Sequence, residues 1–155
     1  MKPTLLQFIH PALEKSRVNR RLLEAALKRD DVLVNDLYER YPDCHIDVDR
    51  EKELMESHDS IVFQFPFYWY SSPSLLKEWF DLVLQYGWAY GSKGGALLGK
   101  RARLAVTTGA PADSYAKEGH NGYTMDELLR PITQTLDVCG MRVGKPFFVH
   151  ESLHI

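Results

Sequence analysis

Residues 61–84 read IVFQFPFYWYSSPSLLKEWFDLVL, and this stretch decides the fold. It begins with the β-rich apolar run Ile61–Phe65 and continues into apolar residues at helical spacing. Pro73 suits the first position of that helix. The apolar residues of the helix are Leu75, Leu76, Trp79, Phe80, Val83 and Leu84. The stretch therefore predicts a buried strand, a loop and a helix that covers a sheet.

Further β-rich runs occur on both sides of this unit. They are Thr4–Ile9, Val32–Asp36 and Arg103–Thr108, and a fifth strand is expected within Gly144–His150. The runs are separated by stretches with helical periodicity or turn residues. This alternation predicts a parallel sheet with helices on both faces.

Two further helices have recognisable signals. After the first strand, apolar residues from Val18 to Leu27 recur at helical spacing among charged residues, which gives one apolar stripe. Thr124 and Glu127 have the form of a capping box, and the helix that they begin is expected to end near Cys139. Pro131 should kink that helix.

Composition excludes several classes of protein. A chain of 155 residues with 45% apolar composition fits one domain, expected over residues 1–155. The formal net charge of −2 provides no basic field for nucleic acid. Cys44 and Cys139 have neither disulfide nor zinc spacing. The most apolar segment, residues 61–70, is shorter than the roughly 20 residues of a spanning helix. The opening apolar stretch is too short for a signal peptide, so a cytoplasmic location is expected.

The loops after the strands are the expected functional sites, because ligands bind outside the carboxyl ends of parallel strands. The first loop leaves its strand with His10 and enters a helix through Ser16. Free amides at a helix start bind a phosphate monoester, with Ser16 and His10 as additional donors. The alternative is that Ser16 only caps the helix.

The second loop holds four consecutive aromatic residues, from Phe67 to Tyr70. Alternating burial cannot place all four rings in a core, so some face a ligand, a partner subunit or solvent. A planar ring system is the ligand that such a wall favours. A dimer interface, or a loop folded onto the sheet, is the alternative.

The third loop, Thr107–Pro111, begins Thr-Thr-Gly and lets the backbone approach a ligand closely. Other motifs are rejected. Residues 94–100 resemble a P-loop, but Arg101 replaces its Ser or Thr and the segment precedes a strand. His150 and His154 have i, i+4 spacing, yet they lie at a strand end and tail, so no metal site is expected. No Gly-x-Ser-x-Gly elbow of a hydrolase occurs.

Taken together, these motifs resemble the flavodoxin-like NAD(P)H:quinone oxidoreductase family. They are His10-Pro11 with Ser16-x-x-Asn19, Pro66-x-x-Trp69-Tyr70, Leu76-Lys77-x-Trp79, Gly87-Trp88-Ala89-Tyr90-Gly91 and Thr107-Thr108-Gly109. The likeness runs from Phe8 to Val149. The segment from Leu37 to Asp47 is most similar to the ancillary subunits of bacterial glutathione-gated potassium efflux systems. The resemblance implies a three-layer α/β sandwich with a five-stranded parallel sheet in the order 2-1-3-4-5.

The resemblance also implies residue roles and a cofactor, FMN, with FAD as the alternative. His10, Ser16, Arg17, Val18 and Asn19 would hold the FMN phosphate. The isoalloxazine ring would be surrounded by Pro66, Phe67, Tyr68, Trp69, Thr107, Thr108, Gly109 and Ala110. Tyr115 would polarise the quinone, and His120 lies one residue from the family's catalytic histidine. Ala110 replaces the second glycine of the family's turn, and the helix that usually follows the last strand is not expected.

The function implied is two-electron transfer from NADPH or NADH through the flavin to a quinone or a similar small-molecule acceptor, by a homodimer. Docking to a membrane potassium efflux protein would make the chain peripheral at the inner membrane. A non-catalytic regulatory module of such an antiporter is the alternative. A one-electron carrier such as flavodoxin normally has a Thr/Ser-rich phosphate loop and a strongly acidic surface, and neither is present.

Overall fold

Strands and helices alternate along residues 2–155, which the computed structural model describes. The strands are β1 (Thr4–Phe8), β2 (Val32–Asp36), β3 (Ser60–Pro66), β4 (Arg101–Thr107), β5 (Arg142–Val143) and β6 (Phe147–Val149). The helices are α1 (Arg17–Leu27), α2 (Leu37–Arg40), α3 (Val48–Ser57), α4 (Ser74–Val83), α5 (Met125–Leu128) and α6 (Arg130–Val138). Short 3₁₀ helices span Leu13–Lys15 and Ala112–Tyr115. None of the helices in this part of the chain is long and apolar enough to cross a bilayer.

The strands form one parallel sheet in the order β2-β1-β3-β4-β5, which confirms the predicted order. In the register between neighbours, Leu5 pairs with Ile61, and Ile61 pairs with Ala102. The chain first builds outward from β1 to β2 and then returns to place β3 on the other side of β1. This reversal leaves a crevice at the carboxyl ends of β1 and β3.

The far edge of the sheet differs from the prediction, because two short strands replace the single fifth strand expected within Gly144–His150. Both pair with β4: β5 lies beside its first residues and β6 beside Ala105–Thr107. Pro146 between them has no amide hydrogen to donate to a ladder. The sheet therefore has six strands instead of five.

Helix boundaries also differ from the prediction at the two prolines. Pro73 has an extended ψ of 149° and precedes α4 as its N-cap, so it is not the first helical residue. The helix expected from Thr124 to Cys139 is divided at Leu129 into α5 and α6, with Pro131 in the first turn of α6. The capping box of Thr124 and Glu127 is present. The expected kink is thus a complete break.

Two apolar clusters attach the helices to opposite faces of the sheet. The larger one packs Met55 of α3, Trp79 of α4 and Leu136 of α6 against Phe63 and its neighbours in the sheet. The smaller one packs Leu23 of α1 against Leu6 and Phe8. The predicted three-layer sandwich is confirmed. The carboxyl ends of β1, β3 and β4 lie side by side at one edge of the sheet, because these strands are adjacent and parallel.

Candidate functional site

A cleft of about 490 Å³ opens at the crevice beside β1 and β3. It is lined by His10, Ala12, Lys15, Ser16, Arg17, Asn19, Pro66, Phe67, Tyr68, Thr107, Gly109, Ser152 and Leu153. The three loops selected from the sequence therefore meet in one cavity. Val18, Trp69, Thr108 and Ala110 were predicted with them, but they do not line it.

One wall of the cleft is the start of α1. Ser16 is its N-cap, and the Ser16 hydroxyl oxygen accepts a hydrogen bond from the Asn19 amide at 3.2 Å. The interpretation of Ser16 as a cap is thus confirmed, and its hydroxyl hydrogen can still be donated into the cleft. The amides of Arg17 and Val18 belong to the first turn, where a helix offers them no acceptor. Lys15 and Arg17 add positive charge beside these amides.

Asn19 connects that wall to the sheet and is 1% exposed. Its Nδ2 donates to Thr107 Oγ1 at 2.9 Å and to Ser16 Oγ at 3.1 Å. Its Oδ1 accepts from Gln64 Nε2 at 3.3 Å. One side chain thereby fixes the position of the helix start relative to β3 and β4.

His10 presents a neutral imidazole to the cleft. Its Nδ1 accepts a hydrogen bond from the Ala12 amide at 3.0 Å, so the ring proton belongs on Nε2. Burial lowers the pKa of His10, and the nearby Glu14 carboxylate opposes this effect. The ring of Tyr68 meets the imidazole edge-on at 6.4 Å between centroids. His10 is therefore available as a hydrogen-bond donor without a charge.

The aromatic loop turns back on itself after β3. Tyr68 and Ser71 exchange two backbone hydrogen bonds, of 3.1 and 2.9 Å, around Trp69 and Tyr70. Trp69 and Tyr70 both have positive φ, of 47° and 61°, as the two central residues of a type I′ turn require. This conformation is strained for residues with a side chain. The turn places Phe67 in the cleft wall and leaves Trp69 93% exposed.

The opposite wall is the turn after β4. Thr107 and Gly109 line the cleft, whereas Thr108 is 1% exposed and lies behind them. The Thr108 hydroxyl donates to the Ala110 carbonyl oxygen at 2.8 Å. Leu153 packs so closely on Gly109 that an added Cβ there would lie 3.2 Å from Leu153 Cδ1.

The two residues proposed as catalytic lie in different places. Tyr115 packs edge-on against Phe67, with 5.9 Å between ring centroids, and therefore lies beside the cleft wall. Burial raises the pKa of Tyr115, so its hydroxyl remains a donor at neutral pH. His120 is exposed and lines a separate shallow depression with Asp113 and Ser114. A single chain does not bring His120 to the cleft.

Four lining residues were missed from the sequence: Ala12, Lys15, Ser152 and Leu153. Lys15 could have been found, because it is a cation next to a proposed phosphate site. Ser152 and Leu153 carried no signal. The tail reaches the cleft through hydrogen bonds with the turn after β4, among them that of the Ser152 amide to the Thr108 carbonyl oxygen at 2.9 Å. Within residues 2–155, no three His, Cys, Asp or Glu side chains are grouped to hold a metal ion.

A family model described as the flavodoxin-like fold matches residues 2–154. The chain belongs to the flavodoxin-like fold family. A relative of this flavodoxin-like chain is the glutathione-regulated potassium-efflux system ancillary protein KefG of Pectobacterium atrosepticum. The two are 48% identical over 146 residues, 94% of this chain and 80% of KefG.

Two similar proteins of known structure are described with a cofactor or an activity. General stress protein 14 from Treponema denticola, in complex with FMN, is 45% identical with a TM-score of 0.94. The match covers 96% of this flavodoxin-like chain and 86% of that one. An NADPH-quinone reductase from P. pentosaceus is 29% identical with a TM-score of 0.90, over 99% of this chain and 88% of the other.

Proposed function

We propose that this chain is an FMN-dependent NAD(P)H:quinone oxidoreductase that works by a ping-pong mechanism. The observation that carries the proposal is one cleft in which a helix start faces an aromatic wall and a Thr-Gly turn. A phosphate monoester attached to a planar ring system matches both halves of such a cleft. FMN has this form, and the similar Treponema denticola protein was crystallised with it.

The phosphate would be held at the start of α1. The amides of Arg17 and Val18 and the hydroxyl of Ser16 are donors there, and Lys15 supplies a nearby positive charge. The uncharged donor at His10 Nε2 adds a further hydrogen bond. The role of Asn19 is to hold these donors in place through its contacts with Ser16 and Thr107.

The ring system would lie between Phe67 and Tyr68 on one side and Thr107 and Gly109 on the other. When bound, FMN would accept hydride from NADPH or NADH and pass it to a quinone. The Tyr115 hydroxyl would donate a hydrogen bond to the quinone oxygen, since its raised pKa keeps it protonated. The donor and the acceptor would use the same slot in turn, which is the basis of the ping-pong order.

We further propose that the active form is a homodimer. Trp69 is 93% exposed on a strained turn, and Tyr70 beside it is 50% exposed. Large exposed rings at the rim of a cleft are typical of an interface. A second copy would bring its own Trp69 and His120 toward the cleft. Trp69→Ser should shift the mass measured by light scattering from dimer to monomer, and an unchanged mass would contradict the dimer.

A regulatory module is the second candidate function, favoured by the 48% identity to KefG. In this case the chain is cytoplasmic and docks on a membrane potassium efflux protein. Ser16→Asp and Tyr115→Phe variants separate the two functions. Stimulation of potassium efflux by both variants would support the module, whereas loss of stimulation together with turnover would support the enzyme.

The experiment that tests the enzyme is an absorption spectrum of the FMN-loaded protein under anaerobic conditions. NADPH should bleach the flavin band, and 1,4-benzoquinone added afterwards should restore it. Double-reciprocal plots at several quinone concentrations should be parallel, as a ping-pong mechanism requires. Bound flavin that neither NADPH nor NADH reduces would refute the proposed activity.

A further inference from the structure

His150 lies just beyond β6, and the roles assigned above do not include it. Its Nδ1 is 2.8 Å from the Thr108 hydroxyl oxygen. Its ring stacks on Tyr115, with 5.7 Å between centroids and 29° between planes. Phe148 packs on the same imidazole at 5.6 Å. One side chain therefore touches both the turn after β4 and the tyrosine beside the cleft.

The direction of the contact with Thr108 follows from counting hydrogens. The Thr108 hydroxyl has one hydrogen, and the Ala110 carbonyl oxygen at 2.8 Å can only accept. The 2.8 Å contact with His150 is then satisfied only if Nδ1–H donates to the hydroxyl oxygen. Burial lowers the pKa of His150, and Glu151 opposes this effect, so the ring is neutral at pH 7. The imidazole orients the Thr108 hydroxyl, which in turn ties down Ala110.

The backbone around His150 reinforces this contact. The Thr108 amide donates to the Val149 carbonyl at 3.0 Å, and the Ser152 amide donates to the Thr108 carbonyl at 2.9 Å. The Glu151 amide donates to Ala110 at 3.1 Å, from a residue with a φ of 55°. The tail thus encloses the turn, and the imidazole fills the space between the turn and Tyr115.

We propose that His150 is a positioning residue with two separable roles: its Nδ1–H holds the turn at Thr108, and its ring holds Tyr115. This inference rests on the proposed function, because the turn is expected to frame the flavin and Tyr115 to contact the quinone. The hydrogen bond should then govern FMN affinity, and the ring stack should govern the response to the acceptor.

Two substitutions separate these roles. His150→Phe keeps an aromatic ring but has no donor, so it should raise the dissociation constant of FMN about fivefold, the size of one neutral hydrogen bond. His150→Asn keeps an N–H near Nδ1 but has no ring, so it should raise the KM for 1,4-benzoquinone about fivefold, the size of one aromatic pair. His150→Phe should change the KM for 1,4-benzoquinone less than His150→Asn does. His150→Asn should change the dissociation constant of FMN less than His150→Phe does.

Thr108→Val removes the hydroxyl with almost no change in shape. It should weaken FMN binding as much as His150→Phe does. The double variant Thr108→Val with His150→Phe should bind FMN no more weakly than either single variant, because both changes remove the same hydrogen bond. His154→Phe is the matched control, since His154 is exposed. It should leave both constants unchanged. If His150→Phe fails to fold, Thr108→Val and His150→Asn still carry the test.

The readouts are FMN quenching titrations of apoprotein and steady-state kinetics with 1,4-benzoquinone. Weaker FMN binding in His150→Phe together with a higher KM for 1,4-benzoquinone in His150→Asn supports the inference. Equal FMN affinity in wild type, His150→Phe and Thr108→Val would overturn it and leave the proposed function intact. Wild-type apoprotein that binds no FMN would overturn the proposed function and this inference together.

Discussion

Replacing Ser16 with aspartate should strongly weaken FMN binding without destabilising the fold. Ser16 caps α1 through its side-chain oxygen, and aspartate caps helices equally well. A negative charge at a helix start is also favourable by about 0.3–1 kcal/mol. The apoprotein should therefore be as stable as wild type or slightly more stable. The same charge would repel a phosphate in the cleft that Ser16 lines.

The size of the repulsion follows from Coulomb's law. At a separation of about 4 Å and an effective dielectric constant of about 20, each pair of unit charges contributes about 4 kcal/mol. A phosphate monoester carries about −1.5 to −2 charges at neutral pH, so the upper limit is about 6–8 kcal/mol. The cleft is open to solvent, and screening by water and salt reduces this to roughly half. Affinity should therefore fall roughly 100- to 1,000-fold.

Ser16→Asn is the matched control, because asparagine caps a helix and has nearly the size of aspartate without its charge. Quenching of FMN fluorescence by each apoprotein gives the dissociation constants, and urea unfolding gives the stabilities. The Asp variant should recover part of its affinity at high salt, and the Asn variant should not. Equal FMN affinity in the two variants would refute the placement of the phosphate.

Three further outcomes are expected. Trp79→Phe removes the 2.8 Å hydrogen bond to the buried Glu51 carboxylate and should cost about 2 kcal/mol in urea unfolding. Trp88 is half-buried and its indole donates to the exposed Glu56 carboxylate, so Trp88→Phe should cost less than about 1 kcal/mol. Tyr115→Phe should lower quinone turnover, and an unchanged FMN dissociation constant is its check. Because burial lowers the pKa of His10, the unfolded chain takes up a proton first, so apoprotein stability should fall as the pH drops below 6.5. In His10→Asn the Oδ1 atom can still accept a hydrogen bond from the Ala12 amide. The free energy of unfolding of this variant should therefore fall less than that of wild type between about pH 7.5 and pH 5.

The regular part of the fold could be predicted because its signals are local. Val32–Asp36 was predicted with the observed boundaries, since charged and turn residues flank an apolar run. The edge strand could not be predicted in detail. Whether residues 144–146 pair with β4 depends on tertiary contacts between β4 and the C-terminal segment. No local sequence pattern indicates those contacts.

The site was predictable to the extent that backbone geometry controls it. His10, Ser16 and Thr107 follow from the ends of strands and the start of a helix. Trp69 was expected at the ring, but the positive φ of the turn directs it outward, and consecutive aromatic residues do not indicate that conformation. The contribution of Ser152 depends on hydrogen bonds with a distant turn, which the sequence does not encode locally.

The central claim is that a phosphate binds at the start of α1 and anchors a flavin in the cleft. Calorimetric titration of apoprotein with FMN and with riboflavin tests it directly, because the two ligands differ only by the phosphate. We predict one FMN per chain and riboflavin binding weaker on the order of 100-fold, since charge-assisted hydrogen bonds contribute about 1.5–3 kcal/mol each. Equal affinity for the two ligands, or no binding of either, would contradict the account.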